Sequence, residues 1–497
     1  MRRMKGAAGL LTALLLAFQL SAQTFALANE DNGIKVVPVN FTHNGYSYEI
    51  EGVAKSTDGD YQIKSPARLA ARKLPSTYDP RSSGEITTVK DQASTGACWA
   101  FSALACAEQD LIKKGLENPS AEFSVPALVL SSNSGTATGK DDFSSGGNWL
   151  FAASALANGQ GLCYEDYEPF LESGTENMIV SENKKSVSEY RLNYVMELSS
   201  TTQVKRKIME LGAVSASYFA GNGYMNHNNT AYYDPDASKN TIINHSVTVV
   251  GWDDNYSKDN FRYKPANNGA WLVKGSWGAD QDNDGFYWVS YDEAEFGQFC
   301  CYDFEESCDN TYHYSKMTGY VVNASNDGSV YGANVFTAKA DEKLDKAGFM
   351  YVGKTGSADY TLSVYTNVSD SDPIGVLETQ ISGSVSANGF YTVDFPEDIL
   401  LEEGEKYSIS VKFSGDSGRG YLLAESDRTS NAQSGQSYVS LNGKYWSDVG
   451  ADKTDSIGSL FIYAYTDDTA KPDKSSLESA LAKYGTLAGC EREANNA

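Results

Sequence analysis

Two segments of the chain carry residues from which covalent chemistry can be built. The first runs Val89-Lys90-Asp91-Gln92-Ala93-Ser94-Thr95-Gly96-Ala97-Cys98-Trp99-Ala100-Phe101. Its glycine-containing loop delivers Cys98 to the first turn of an amphipathic helix. There the partial positive charge of the helix N-terminus favours thiolate over thiol. A thiolate attacks carbonyl carbon, and an adjacent imidazole can hold it as an ion pair. Gln92 lies six residues earlier, close enough in a loop for its amide to join the Cys98 backbone N–H in polarising a carbonyl oxygen. The second segment is Asn244-His245-Ser246-Val247-Thr248-Val249-Val250-Gly251-Trp252, where His245 opens an apolar strand at its exposed end. The chain has only four histidines, His43, His227, His245 and His313, and His245 alone is so placed. A cysteine in an apolar run is usually just buried, as Cys106 is expected to be. The matching histidine makes nucleophilic catalysis the better reading. A third run, Trp271-Leu272-Val273-Lys274-Gly275-Ser276-Trp277-Gly278, ends in an indole, Trp277, that would shield the site.

The elements that must hold these residues are helices first and strands later. Ala100–Lys114 carries apolar residues at Phe101, Leu104, Ala105, Leu111 and Ile112, with Gly115 as a C-terminal stop. Asn148–Ala157 and Gln203–Leu211 are further helices. Strands are expected at Val214–Phe219, Ser246–Trp252, Ala270–Lys274 and Phe286–Tyr291. Helices followed by strands imply an α+β domain with segregated lobes. After Cys308 the texture changes. Tyr407, Ile409, Val411 and Phe413 alternate with Ser408, Ser410 and Lys412, a half-buried strand. Similar runs at Gly332–Thr337, Tyr360–Tyr365, Phe390–Phe395 and Leu460–Tyr465 read as an all-β sandwich.

Composition narrows the function classes. The 497 residues hold 40 basic and 65 acidic side chains, a formal charge of −25. Such a balance repels phosphate backbones and anionic lipid, which excludes a nucleic-acid or membrane-surface role. A hydrophobic share of 41% supports packed cores. Arg2, Arg3 and Lys5 precede an apolar run from Ala7 to about Leu20, and Ala26-Leu27-Ala28 offers a cleavage site. Residues 1–28 therefore read as a secretory signal, with no membrane span after its removal and a secreted or cell-surface location. Seven cysteines are too few and too uneven for a disulfide scaffold, and at least one thiol stays unpaired.

Taken together, Gly96-Ala97-Cys98-Trp99, Gln92, the Ser145-Gly146-Gly147 turn, Gly161-Leu162 before Tyr164-Glu165-Asp166-Tyr167, Asn244-His245-Ser246 and Ser276-Trp277-Gly278 resemble the papain-like cysteine peptidases, in family order. The resemblance implies a two-lobed fold with Cys98 as nucleophile and His245 as general base and later acid. It implies an oxyanion hole from Gln92 with the Cys98 N–H. Gly146 and Gly147 would form a backbone ledge for an extended substrate, with Trp149 as a wall of the specificity pocket or a core residue. Thr95 stands where the family usually has a bridging cysteine, so that disulfide should be absent. Gly275 stands where the family has the asparagine that holds the far imidazole nitrogen. A backbone carbonyl, a water or a side chain such as Asn244 would have to orient His245 instead.

With Tyr331-Gly332-Ala333-Asn334-Val335-Phe336 and the later Lys346-Ala347-Gly348-Phe349, the β-rich region resembles the lectin-like domain of clostridial cell-surface proteases. Asp280-Gln281-Asp282-Asn283-Asp284-Gly285 opens like a calcium loop, but Tyr291 falls where a bidentate Glu is needed, so a solvated acidic turn is preferred. The expected layout is a signal peptide (1–28), a prosegment or linker (29–73), a papain-like domain (74–305), a sandwich (309–467) and a tail with a short helix (468–497). The expected function is a secreted cysteine endopeptidase acting on protein or peptide, slowed by Gly275, without metal or organic cofactor. The sandwich would offer a face to a cell-wall or surface glycan. The alternative is a catalytically weakened papain fold serving as an adhesin or carbohydrate-binding protein.

Overall fold

The computed structural model describes residues 73–469 apart from 133–142, 144–145, 160, 166–188, 222, 238–242, 280–281, 316–319, 325–327, 370, 417, 427–431 and 452–456, together with three short strands within 34–47. The signal segment, Arg68, Arg72, Ser145, Asp166, Tyr167, Cys490 and the tail helix lie outside the described residues.

The central element is helix α1, Cys98–Lys114, in which every residue from Cys98 to Leu111 is buried. It begins two residues before the expected Ala100, without a side-chain cap. The Ala97 carbonyl instead accepts from the N–H groups of Ala100 and Phe101, so the first turn closes on the backbone alone. It ends where Gly115 takes φ 73°, with Lys113 and Lys114 at the negative end of the helix dipole. A buried carboxylate on α1, Glu108, accepts from Thr87 Oγ1 at 2.6 Å and faces Lys90 Nζ at 3.4 Å. This pins the loop that leads to Gln92. Three more helices follow: α2, Val125–Ser131, capped by Ser124; α3, Trp149–Ala157, capped by Asn148; and α4, Thr201–Leu211, closed by a Ser200/Gln203 capping box.

The strands β1 (Tyr190–Leu198), β2 (Val214–Tyr218), β3 (His245–Asp253), β4 (Ala270–Lys274), β5 (Phe286–Ser290) and β6 (Gly297–Glu306) form one side of a 12-stranded sheet. Its order on this side is β1-β6-β2-β3-β4-β5. Helix α1 lies across β3, where Ser102 Oγ donates to the Val247 carbonyl at 2.7 Å. Beyond these come β7 (Ser329–Thr337), β8 (Glu342–Tyr351), β9 (Ala358–Thr366), β10 (Val376–Val385), β11 (Gly389–Leu401), β12 (Lys406–Ser414), β13 (Ser437–Ser440) and β14 (Ile462–Asp468). The order β10-β9-β12-β7-β13, with Ser447–Asp448 at its edge, makes a six-stranded sheet. It stacks on β14-β8-β11 through pairs such as Phe349 and Phe413, ring centroids 5.2 Å apart. The architecture is α+β with a second, all-β sandwich.

The two parts share a sheet. Strand β11 of the sandwich pairs antiparallel with β1 of the first domain, Gly389 opposite Met196 and Tyr391 opposite Tyr194. Only glycine fits at 389, since a Cβ there would sit 2.1 Å from the Val195 carbonyl oxygen. Near the N-terminus, Ile34–Pro38 pairs with Tyr320–Ala324 at the edge of a separate four-stranded sheet.

Candidate active site

The loop before α1 fixes Gln92 from three directions. Its backbone N–H donates to the Ser276 carbonyl at 2.8 Å, its Nε2 donates to the Thr95 carbonyl at 2.8 Å, and its Oε1 accepts from Ser276 Oγ at 2.5 Å. A carboxamide nitrogen carries two hydrogens. One is used on Thr95, and the other remains for a substrate oxygen. Ser276 therefore orients the amide, a role that sequence reasoning did not assign to it although it stands inside the Ser-Trp-Gly run.

Cys98 and His245 line one cleft of about 900 Å³, together with Gln92, Gly146, Gly147 and Trp277. Among the described residues, no Asp, Glu, Lys or Arg lines it. Cys98 is 8% exposed and His245 5%. Burial pushes the thiol up from its ordinary value, while N–H groups of Ser246, Trp99 and Cys98 and the Ser246 hydroxyl draw it back down. Burial pushes the imidazole down to about 4. Each group taken singly is thus neutral. Charge would appear only if the proton passed from sulfur to imidazole, where the attraction between the two ions works against the cost of desolvation.

Trp277 stacks on the His245 ring at 5.3 Å and 27° while remaining 44% exposed. Tyr218, the cross-strand partner of His245, flanks the imidazole at 5.9 Å. The buried His245 Nε2 has no hydrogen-bond partner among the described residues. Asn244 does not supply one. Its Oδ1 accepts from Ala220 N at 2.7 Å and its Nδ2 donates to the Ala220 carbonyl at 3.3 Å, so the side chain belongs to the neighbouring loop.

Gly147 lies so close to Trp99 that a Cβ would come within 2.5 Å of the indole, which explains the glycine. Trp149 does not line the cleft. It begins α3 and turns its Nε1–H onto Glu197 Oε1 at 3.0 Å, so the pocket-wall role is corrected to a structural one. Among the described residues, no disulfide joins the Thr95 region, and Cys98, Cys106, Cys300, Cys301 and Cys308 are unbridged. The acidic run closes as a short turn in which Asn283 and Asp284 take positive φ and Asn283 Nδ2 donates to the Phe286 carbonyl at 2.8 Å. Among the described residues, no His/Cys/Asp/Glu cluster could hold a metal ion.

The model of the papain family of cysteine proteases matches residues 74–327, just over half of the chain. The chain belongs to the papain family. A lectin-like domain model matches residues 311–466. The papain-family region is 24% identical over 216 residues to mouse (Mus musculus) cathepsin K, covering 43% of this chain and 59% of that protein. It is 28% identical over 234 residues to procathepsin L of Rattus norvegicus, covering 44% and 61%. The chain spans about three-fifths of the length of these curated relatives. Among solved structures, a clostridial cysteine protease, Cwp84, after propeptide cleavage aligns with TM-score 0.69 and 27% identity, covering 79% of this chain and 99% of that one. The cysteine protease and lectin-like domains of Cwp84, a surface-layer-associated protein of Clostridium difficile, align with TM-score 0.71 at 24% identity over 92% and 96%, a likeness of fold. Papain-family domain and lectin-like sandwich thus occur here in the order seen in that neighbour.

Proposed function

We propose that this chain is a secreted or surface-held cysteine endopeptidase. The carrying observation is a single uncharged cleft lined by a thiol at a helix N-terminus, an imidazole, a pinned carboxamide and a two-glycine ledge. Such a cleft suits a peptide read mainly through its backbone. Cys98 Sγ passes its proton to His245 and attacks the scissile carbonyl carbon. The oxyanion lies against Gln92 Nε2–H and the Cys98 N–H. The intermediate collapses as His245 returns the proton to the leaving amine. A water, deprotonated by His245, then cleaves the thioester and restores the thiol. Gly146 and Gly147 hold the substrate strand.

Export is supported by the N-terminal sequence, and no described helix is long and apolar enough to cross a membrane. The sandwich would present the molecule to a cell-wall or surface glycan. The test compares wild type with Cys98→Ala on a peptide library, alongside labelling by a thiol-reactive epoxide. Turnover should fall at least about 10³-fold in the variant, and the label should sit on Cys98. Equal turnover removes the enzyme reading. The unpartnered Nε2, in a chain with glycine at 275, favours one second reading, a catalytically weakened adhesin or carbohydrate-binding protein. Absence of both turnover and label would support it.

A further inference from the structure

A side chain at 275 would be crowded. A Cβ on Gly275 would stand 3.0 Å from the Gly285 carbonyl oxygen and 3.4 Å from Tyr287 Cε1. Tyr287 OH lies 2.8 Å from Tyr218 OH, and both phenols are buried. Tyr218 is also the strand neighbour that flanks His245, on which the Trp277 indole stacks. Both tyrosines line the catalytic cleft. Burial holds both phenols above their ordinary range, so they keep their protons through neutral pH. A pair of phenols sharing one hydrogen bond still has oxygen lone pairs to offer. The imidazole has one buried nitrogen that needs an acceptor once it carries a proton.

We propose that the Tyr218–Tyr287 pair is the positioning element of His245 in this chain, its phenol oxygens taking Nε2–H through one water in place of a carboxamide at 275. The pair fixes both the tautomer and the tilt of the ring, while Trp277 stacks on it. Neither tyrosine touches the reacting atoms, so both are positioning residues. The inference rests on the peptidase reading for its kinetic consequences, but not for its structural one.

Two measurements test it. Kinetics of wild type and Tyr287→Phe, which keeps the ring and removes only the hydroxyl, should give kcat lower by about tenfold, the scale of one hydrogen bond in a barrier. KM should stay within about twofold, and the acid limb of the pH–rate profile should move. Gly275→Asn alone should not raise kcat, because the new side chain meets the Gly285 carbonyl and the Tyr287 ring. Combined with Tyr287→Ala it should recover part of what Tyr287→Ala loses. The second measurement needs no turnover. With only four histidines in the chain, nitrogen NMR of the imidazoles, assigned with His245→Ala, should report an Nε2–H tautomer for His245 that exchanges faster in Tyr287→Phe. Wild-type kinetics together with an unchanged His245 spectrum in Tyr287→Phe and Tyr218→Phe overturns the proposal. Lack of any wild-type turnover would instead strike the peptidase reading, and the NMR comparison would still decide the role of the tyrosines.

Discussion

The two sides of the cleft are held by different kinds of force. On the oxyanion side, Gln92 is gripped by directional hydrogen bonds to Thr95 and to both the backbone and hydroxyl of Ser276. On the imidazole side, His245 is held by rings, Trp277 stacked on it and Tyr218 tilted beside it, and its Nε2 has no partner among the described residues. Hydrogen bonds fix an angle, whereas ring packing fixes a location and leaves rotation softer. Catalytic groups lose rate steeply when they stray from productive geometry. On the peptidase reading, oxyanion stabilisation would be ready before substrate arrives, and proton transfer through His245 would be the step more sensitive to positioning.

The largest effect that bears on this contrast is expected from Gln92→Ala. Removing a pre-aligned oxyanion donor should lower kcat by about 10²–10³-fold with KM little changed. A loss near twofold would mean that the Cys98 N–H suffices and that the grip on Gln92 serves the fold. Ser276→Ala should cost less, about tenfold in kcat, because Thr95 still holds the amide nitrogen. If Ser276→Ala fell as far as Gln92→Ala, the serine would be the sole orienter. A wild-type rate would show that a single bond to Thr95 fixes the amide.

The same contrast marks what the sequence could reveal. Cys98, Gln92, His245 and Trp277 sit in short contiguous runs, and each reaches the cleft as those runs imply. Tyr407, Ile409, Val411 and Phe413 are buried on β12 as their alternation implies, but Ser408 and Ser410 are buried too, so the strand is covered on both faces rather than half-buried. Residues whose roles depend on distant partners were not legible. The indole of Trp149 turns away from the ledge because Glu197, 48 positions on, accepts its N–H. Tyr218 and Tyr287 meet across 69 residues with no local sign of pairing. Strands β1 and β6 went unread because both carry charged side chains, Arg191 and Asp303, at buried positions. Charged partners from other elements meet them: Glu305 pairs with Arg191, and Lys114 Nζ pairs with Asp303 Oδ1 at 2.7 Å. Helix α4 starts at Thr201, ahead of the expected Gln203, because Gln203 is the reciprocal partner of the Ser200 cap.

The smallest effect on turnover, and the one that extends the comparison beyond the cleft, is expected at the junction with the sandwich. Glu197 on β1 accepts from Trp149 Nε1 and from Asn388 Nδ2, each at 3.0 Å, and Asn388 Oδ1 in turn accepts from Gly353 N at 2.9 Å. The helix that follows the Gly146-Gly147 ledge is thereby tied to the lectin-like domain by directional bonds, as Gln92 is tied to Ser276. Burial raises the Glu197 carboxyl above its ordinary value, outweighing the two donors that lower it. The folded protein then keeps a proton that the unfolded chain has released. The stabilisation from this group is complete below its unfolded pKa and disappears as pH rises through the folded one. Glu197→Ala should remove that pH dependence and lower stability by about 1–2 kcal/mol, since two N–H donors lose their acceptor. Its kcat should stay near wild type. Denaturant unfolding of full-length protein, followed by tryptophan fluorescence at several pH values, checks this. A single shifted transition means the shared sheet makes the two domains one cooperative unit. Two separated transitions, with only the sandwich shifted, would mean that the β1–β11 pairing joins them in space without coupling their stability.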